Sequence, residues 1–197
     1  LAAMAGGMLW ALLPACVKVF RGGNEAVPGL MLNYVAINLC DYLVYNFLTP
    51  EHVIGQTIAT ESIAEQALLG KIMPPYDVNS GLIIGAFLVI ITFFVLKYTR
   101  PGYALSMCGI NSEFAKYGGQ NVNHIRIYVM LASGAIAGIC GAVEVMGILG
   151  RFESQFSPDF GIEGILASLL GGNQPFGMLL GTLFMGMVKA GSLTVER

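Results

Sequence analysis

GLIIGAFLVIITFFVLKY, residues Gly81 to Tyr98, decides what kind of protein this chain is. It carries no charge before Lys97 and is apolar all the way round, so it has no polar face to turn toward water. At 1.5 Å per residue, a helix of this length comes close to crossing the roughly 30 Å of a bilayer's hydrocarbon. Three more stretches obey the same rule on either side of it: Leu1 to Val17, Val27 to Leu48, and Ile125 to Leu149. Each is closed by charge or by a Gly/Pro break.

The composition agrees with a lipid-facing exterior, being 55% hydrophobic and only 11% charged. The reading is an all-α polytopic membrane protein, one transmembrane domain over residues 1–197, in contact with the bilayer. A net charge of −2 gives no surface for nucleic acid. Leu1 is not an initiator Met, and the run it opens lacks the basic start of a signal peptide, so the domain is expected to be incomplete at both ends.

The connecting segments alternate in sign. Lys18 and Arg21 follow the first stretch; Glu51, Glu61, Glu65 and Asp77 outweigh Lys71 after the second; Lys97, Arg100, Lys116 and Arg126 dominate after the third. The excess of Lys and Arg in cytoplasmic loops makes the first and third segments internal and the acidic one external.

The last part breaks the pattern. Gly161 to Leu170 covers about half a bilayer and Phe176 to Ala190 about two thirds. Gly171, Gly172, Asn173, Gln174 and Pro175 separate them. With Arg151, Glu153 and Asp159 outside and Lys189, Glu196 and Arg197 inside, the two pieces are expected to add up to one net crossing. That makes about five crossings, with one discontinuous or re-entrant helix. Irregular backbone at membrane depth is tolerated only beside protein or a water-filled cavity, so Gly161, Gly164, Gly171, Asn173 and Pro175 become candidates for a translocation pathway. Two short tilted helices joined by a surface turn are the other reading. Asn33 and Asn38 are further pathway candidates, as an uncharged polar inner face or as interhelical hydrogen-bonding groups.

Small residues spaced by four recur at Gly81/Gly85, Gly134/Gly138, Ala137/Gly141 and Gly177/Gly181, a spacing that lets helix backbones touch. Asp41 and Glu144 are the acids within the spans, and both fall toward their external ends, where the cost of burying charge is lower.

Several chemistries find no footing. No Gly-x4-Gly-Lys-Ser/Thr loop is present to cradle ATP. His52 and His124 are far apart, and the four cysteines, Cys16, Cys40, Cys108 and Cys140, lack metal spacing, so neither a metal site nor a cofactor is expected. No nucleophile stands with a base at helical spacing, which argues against an enzyme. A secondary transporter driven by an ion gradient would need acids or polar clusters at mid-span, and the sequence has few.

The polar insert PGYALSMCGINSEFAKYGGQNVNHIR, Pro101 to Arg126, is compact and basic. Asn111 can cap a helix of about two turns with Glu113 in its first turn, Lys116 in its last, and Gly118-Gly119 to end it. Phe114 and Tyr117 project from one face. Such an aromatic pair is either tucked against the membrane domain or inserted into a partner.

These strings resemble the permease subunit of bacterial ABC importers of the family serving ribose and other simple sugars, nucleosides and branched-chain amino acids. The similar segments are GNEAVPGLMLNYVA (Gly23 to Ala36), PGYALSMCGINSEFAKYGG (Pro101 to Gly119), SGAIAGICGAVEVMGILGRF (Ser133 to Phe152) and SPDFGIEGILASLLGGNQPFG (Ser157 to Gly177). The MLNY string is most similar to the nucleoside branch; a branched-chain amino acid permease is the alternative. The resemblance implies a multi-pass protein of the bacterial inner membrane. It implies three partners: a cytoplasmic ATPase that hydrolyses the ATP, a second permease subunit, identical or not, and an external solute-binding protein. It makes residues 99–124 a cytoplasmic coupling loop, in which Gly109, Asn111, Glu113, Phe114, Ala115, Tyr117 and Gly118 contact the ATPase. Three departures stand out: Ser106-Met107 where relatives usually carry Arg, Phe114-Ala115 in place of paired alanines, and Ser168 in place of Ala.

Overall fold

The computed structural model describes residues 1–22, 26–48, 59–70, 72, 79–154 and 160–195. Of the residues named above, Gly23, Glu51, His52, Lys71, Asp77, Ser157, Asp159, Glu196 and Arg197 lie outside them, as does the side chain of Glu65. Eight α-helices occur among the described residues: α1 (Ala2–Arg21), α2 (Ala26–Leu43), α3 (Gly81–Tyr98), α4 (Arg100–Ile110), α5 (Ser112–Tyr117), α6 (Val122–Glu144), α7 (Phe160–Leu170) and α8 (Pro175–Val195). A π-helical turn extends α2 over Val44–Leu48 and another extends α6 over Val145–Leu149. No strand occurs among the described residues, and an isolated antiparallel bridge pairs Ala59 with Glu153.

Four helical segments are long and apolar enough to cross a membrane: Ala2–Arg21, Val27–Leu48, Gly81–Tyr98 and Val122–Leu149. Each apolar stretch read from the sequence matches one of them: the second and third coincide end to end, the fourth falls inside its segment, and the first begins one residue earlier, at Leu1. The architecture is an all-α polytopic membrane protein.

What holds the helices together is backbone meeting backbone. A Cβ on Gly7 would strike the carbonyl of Gly134, and one on Gly138 would strike the carbonyl of Ala3. Because residue 7 lies opposite 134 and residue 3 opposite 138, α1 and α6 run antiparallel. Ala11 meets Gly134 in the same seam, and Ala15 on α1 and Ala135 on α6 are buried. Among the described residues no large side chain is fully buried, while Phe87, Ile91, Phe94 and Leu180 stand exposed on their helices. With lipid outside as apolar as the interior, close approach of small residues replaces hydrophobic burial as the driving force. The spacing rule overpredicts, since the faces at Gly85 and Gly141 are open.

The ends of the bundle are distinct. At one, segment 59–70 is strapped to the end of α6: Thr60 N donates to Phe152 O (3.0 Å), Ile63 N to Gly150 O (2.8 Å) and Leu69 N to Met146 O (2.9 Å). The acidic second connection therefore shares a side with the end of the fourth span, as the charge alternation requires. Buried Asn79 closes this end, its Oδ1 accepting from Gly81 N (3.0 Å) beside Gly147. The opposite end carries α4, α5 and the start of α6.

Candidate functional site

At that opposite end the chain turns through two rigid joints. Thr99 leaves α3 in extended backbone (φ −111°, ψ 155°), and its hydroxyl both donates to Val95 O (2.6 Å) and accepts from Gly102 N (3.3 Å). One side chain thus finishes α3 and caps α4, with Pro101 in the first turn, where its missing N–H costs nothing. Gly102 sits so close to Val95 and Leu96 that a Cβ would collide with their backbone, so α4 is pinned against the end of α3. The sequence reading expected a single short helix in this insert; α4 makes it two, because Thr99 and Pro101 supply a start signal that the reading did not use.

Asn111 forms the second joint. In extended backbone (φ −152°, ψ 103°) it ends α4, and its Oδ1 accepts from Glu113 N (3.0 Å) and Phe114 N (3.1 Å) to open α5. Lys116 reaches back to Glu113 at 2.7 Å. Gly119 takes a left-handed conformation (φ 76°), so that Gln120 N donates to Ala115 O and Gly119 N to Lys116 O, both at 3.0 Å. This pair of bonds is a Schellman termination, which fixes where α5 stops. Asn121 then caps α6 through His124 N (3.4 Å). On α5, Ala115 is 0% exposed whereas Phe114 is 63% and Tyr117 89% exposed. Of the two readings of the aromatic pair, the outward one is what the fold presents. Gly109 is exposed on the last turn of α4, and Gly118 follows α5 directly.

The broken segment is a hairpin. A Cβ on Gly171 would hit the backbone of Gly177, and one on Gly181, itself buried, would press on Ala167 O. Lys189 Nζ meets Glu163 Oε1 at 2.7 Å and lies 5.6 Å from the Phe160 ring centroid. The pairings 171 with 177, 167 with 181 and 163 with 189 make α7 and α8 antiparallel. The two pieces therefore lie side by side, with Lys189 at the level of the first turn of α7, where Glu163 neutralises it. This is the discontinuous segment of the sequence reading in its re-entrant form, and α8, at 21 residues, is longer than the apolar run suggested.

The tip is tightly determined. Asn173 N donates to Ser168 O (2.9 Å) and Gly172 N to Leu169 O (3.1 Å), with Gly172 at φ 61° and Asn173 at φ 57°. The Ser168 hydroxyl donates to Asn173 Oδ1 at 2.8 Å, so Ser168 holds a non-glycine residue in a left-handed conformation. Pro175 opens α8. Gly161 and Gly164 lie exposed on α7.

The fold groups Gly161, Gly164, Gly171, Asn173 and Pro175 on the hairpin and keeps the coupling candidates together on α4 and α5. It does not join Asn33 and Asn38 to either group. Both are exposed on α2, whose packing is lightly on α1, and Asn38 Nδ2 donates to Tyr34 O of its own helix (2.7 Å). Five residues apart, they stand about 140° from each other around the helix, so they do not share a face. The sequence reading missed three elements: the Thr99 joint, the Glu163–Lys189 pair, and a ring contact between Phe93 on α3 and Phe176 on α8 (4.8 Å between centroids, 66° between planes). An i,i+26 ion pair and a contact between helices leave no local periodicity to find. Among the described residues no group of three His, Cys, Asp or Glu is placed to hold a metal.

The family model described as the permease component of branched-chain amino acid transport systems matches residues 1–196. The chain belongs to this family. The guanosine ABC transporter permease protein NupP of Bacillus subtilis is 30% identical over 98% of this chain and 56% of the relative. The glucose ABC transporter permease protein TsgB13 of Haloferax volcanii is 32% identical over 100% of the chain and 54% of the relative. The nucleoside ABC transporter permease protein NupB of Lactococcus lactis is 26% identical over 96% and 54%. This permease-family chain therefore spans about half the length of the curated relatives it matches. No solved structure matches it.

Proposed function

We propose that this chain is part of the permease of an ATP-driven importer that moves a nucleoside or simple sugar into the cytoplasm. The observation that carries the reading is the α4–Asn111–α5 unit: a helix fixed at both ends by its own caps, with Ala115 buried inward and Phe114 and Tyr117 outward. A helix held this rigidly and presenting two aromatic rings is suited to enter a cleft in a separate ATPase, in the manner of anchor residues in a helix-in-groove contact. The end bearing α5 is then cytoplasmic, as its Lys and Arg excess favours, and the strapped end receives solute from a binding protein. The chain has no nucleotide cradle of its own, so ATP hydrolysis belongs to the partner. Alternating access proceeds by rocking of the bundle, with a second permease subunit completing the pathway.

The nucleoside reading is supported by the guanosine and nucleoside permeases among the relatives, and the sugar reading by the glucose permease. In the complete transporter, Phe114→Ala with Tyr117→Ala should abolish nucleotide-driven uptake of labelled guanosine or glucose while membrane insertion is retained. Uptake at the unsubstituted rate in that variant removes the coupling role. Cysteines at Ser112 and Gln66 should react with an impermeant maleimide from opposite sides, and same-side labelling overturns the orientation.

A further inference from the structure

We infer that the Phe93–Phe176 contact is the joint through which movement of α5 reaches the re-entrant hairpin, with Phe176 and Phe93 as positioning residues for the pathway. This rests on the coupling role proposed for α5 and adds to it the step between that helix and the pathway.

The argument is mechanical and starts at α5. Asn111 is at once the last residue of α4 and the cap of α5, so the two helices share one fixed point. Thr99 bonds both α3 and α4, and Gly102 brings α4 into backbone contact with Val95 and Leu96. Displacing α5 therefore tilts the end of α3 instead of bending a loop. That end is rich in rings: Phe93 lies edge-on to Phe94 (5.9 Å), Phe94 is 5.5 Å from Tyr98, and Lys97 Nζ is 5.2 Å from the Phe93 ring centroid. Phe93 touches Phe176, the residue that follows Pro175 at the hairpin tip.

The hairpin on the far side is equally stiff. Glu163–Lys189 ties its open end, Ala167 against Gly181 and Gly171 against Gly177 hold its length, and Ser168–Asn173 fixes its tip. Two stiff bodies that meet at an aromatic edge transmit displacement without absorbing it, since packed contacts have discrete arrangements rather than continuous give.

The test uses the full-length permease assembled with its ATPase in lipid nanodiscs, in a background with Cys16, Cys40, Cys108 and Cys140 replaced by Ser. A Gln174→Cys reporter at the hairpin tip is labelled with a permeant maleimide, with and without Mg-ATP and vanadate. Nucleotide trapping should change the labelling rate by about fivefold or more, the lower range of site-to-site coupling. Phe176→Leu should erase that change while ATP hydrolysis continues, Phe93→Leu should do the same, and the double variant should be no worse than either alone. Phe176→Tyr, which keeps the ring edge, should restore the response. If Phe176→Leu leaves the nucleotide response intact, or lowers hydrolysis and response in parallel as general destabilisation would, the joint is overturned. An unresponsive reporter in the unsubstituted junction also overturns it. The coupling role of α5 is judged separately: it fails if Phe114→Ala with Tyr117→Ala leaves nucleotide-driven uptake unchanged.

Discussion

Two short helices, α5 and α7, end in nearly the same way and go on to do opposite things. After α5 the chain reads Gly118-Gly119-Gln120-Asn121 and enters α6; after α7 it reads Gly171-Gly172-Asn173-Gln174 and enters α8. Both stop in a Schellman termination with a left-handed glycine at φ 76° or 61°. Yet α7 folds back flat against α8, whereas α5 buries Ala115 and leaves its aromatic rings outside. The terminator ends a helix and says nothing about the direction that follows. Direction is set by the next residues. Gly177 and Gly181 give α8 a bare face on which α7 can lie, while α6 begins Val122-Asn123-His124 and has none. Charge separates the two as well: Lys116 pairs with Glu113 within its own helix, and Lys189 pairs with Glu163 across to the neighbouring one.

The comparison breaks most sharply at the bare face. Gly177→Leu should destabilise the hairpin by about 3 kcal/mol through overpacking against Gly171, seen as a lower midpoint of unfolding in mixed micelles. Gly118→Ala, where a Cβ meets only ordinary contacts, should leave that midpoint unchanged. The next effect belongs to the shared terminator. Gly119→Val forces a β-branched residue into left-handed backbone and should cost about 1.5 kcal/mol, read as faster amide exchange along α5 with α7 unaffected. Asn111→Ala removes the cap that α5 has at its start and should cost about 1 kcal/mol in the same exchange measurement. The smallest effect is on the surface: Lys116→Met should cost about 0.3 kcal/mol, as expected of an exposed pair three residues apart. Lys189→Met should cost more, because it strands Glu163 within the apolar hairpin. Equal losses for the two lysines would erase the distinction between a local and a tertiary ion pair.

What could be read from the sequence divides along the same line. Most of what is local was legible: the spans, from their uniform apolarity; α5, from Asn111, Glu113, Lys116 and the glycine pair; the break between α7 and α8, from Gly171 to Pro175. The side shared by the acidic connection and the end of α6 was legible too, from the alternation of charge. Tertiary facts were not. Lys189 looked like a side marker until Glu163 was found beside it, whereas the shared polar face read for Asn33 and Asn38 fails on helix periodicity alone. Ser168 was noticed only as a departure, because its purpose lies five residues away in the conformation of Asn173. The α4 start was missed for a simpler reason: the Thr99 and Pro101 start signal is local, but it follows α3 with only one residue between the two helices.

The seam between α1 and α6 has a consequence for how this protein should be probed. Its interior is made of Gly7, Gly134, Gly138, Ala15 and Ala135, residues that have almost nothing to lose by truncation. An alanine scan would be silent at Ala15 and Ala135 but would force the helices apart at Gly7, Gly134 and Gly138, where the added Cβ meets backbone. A leucine scan would outline it, because here the interior is defined by the atoms it leaves out.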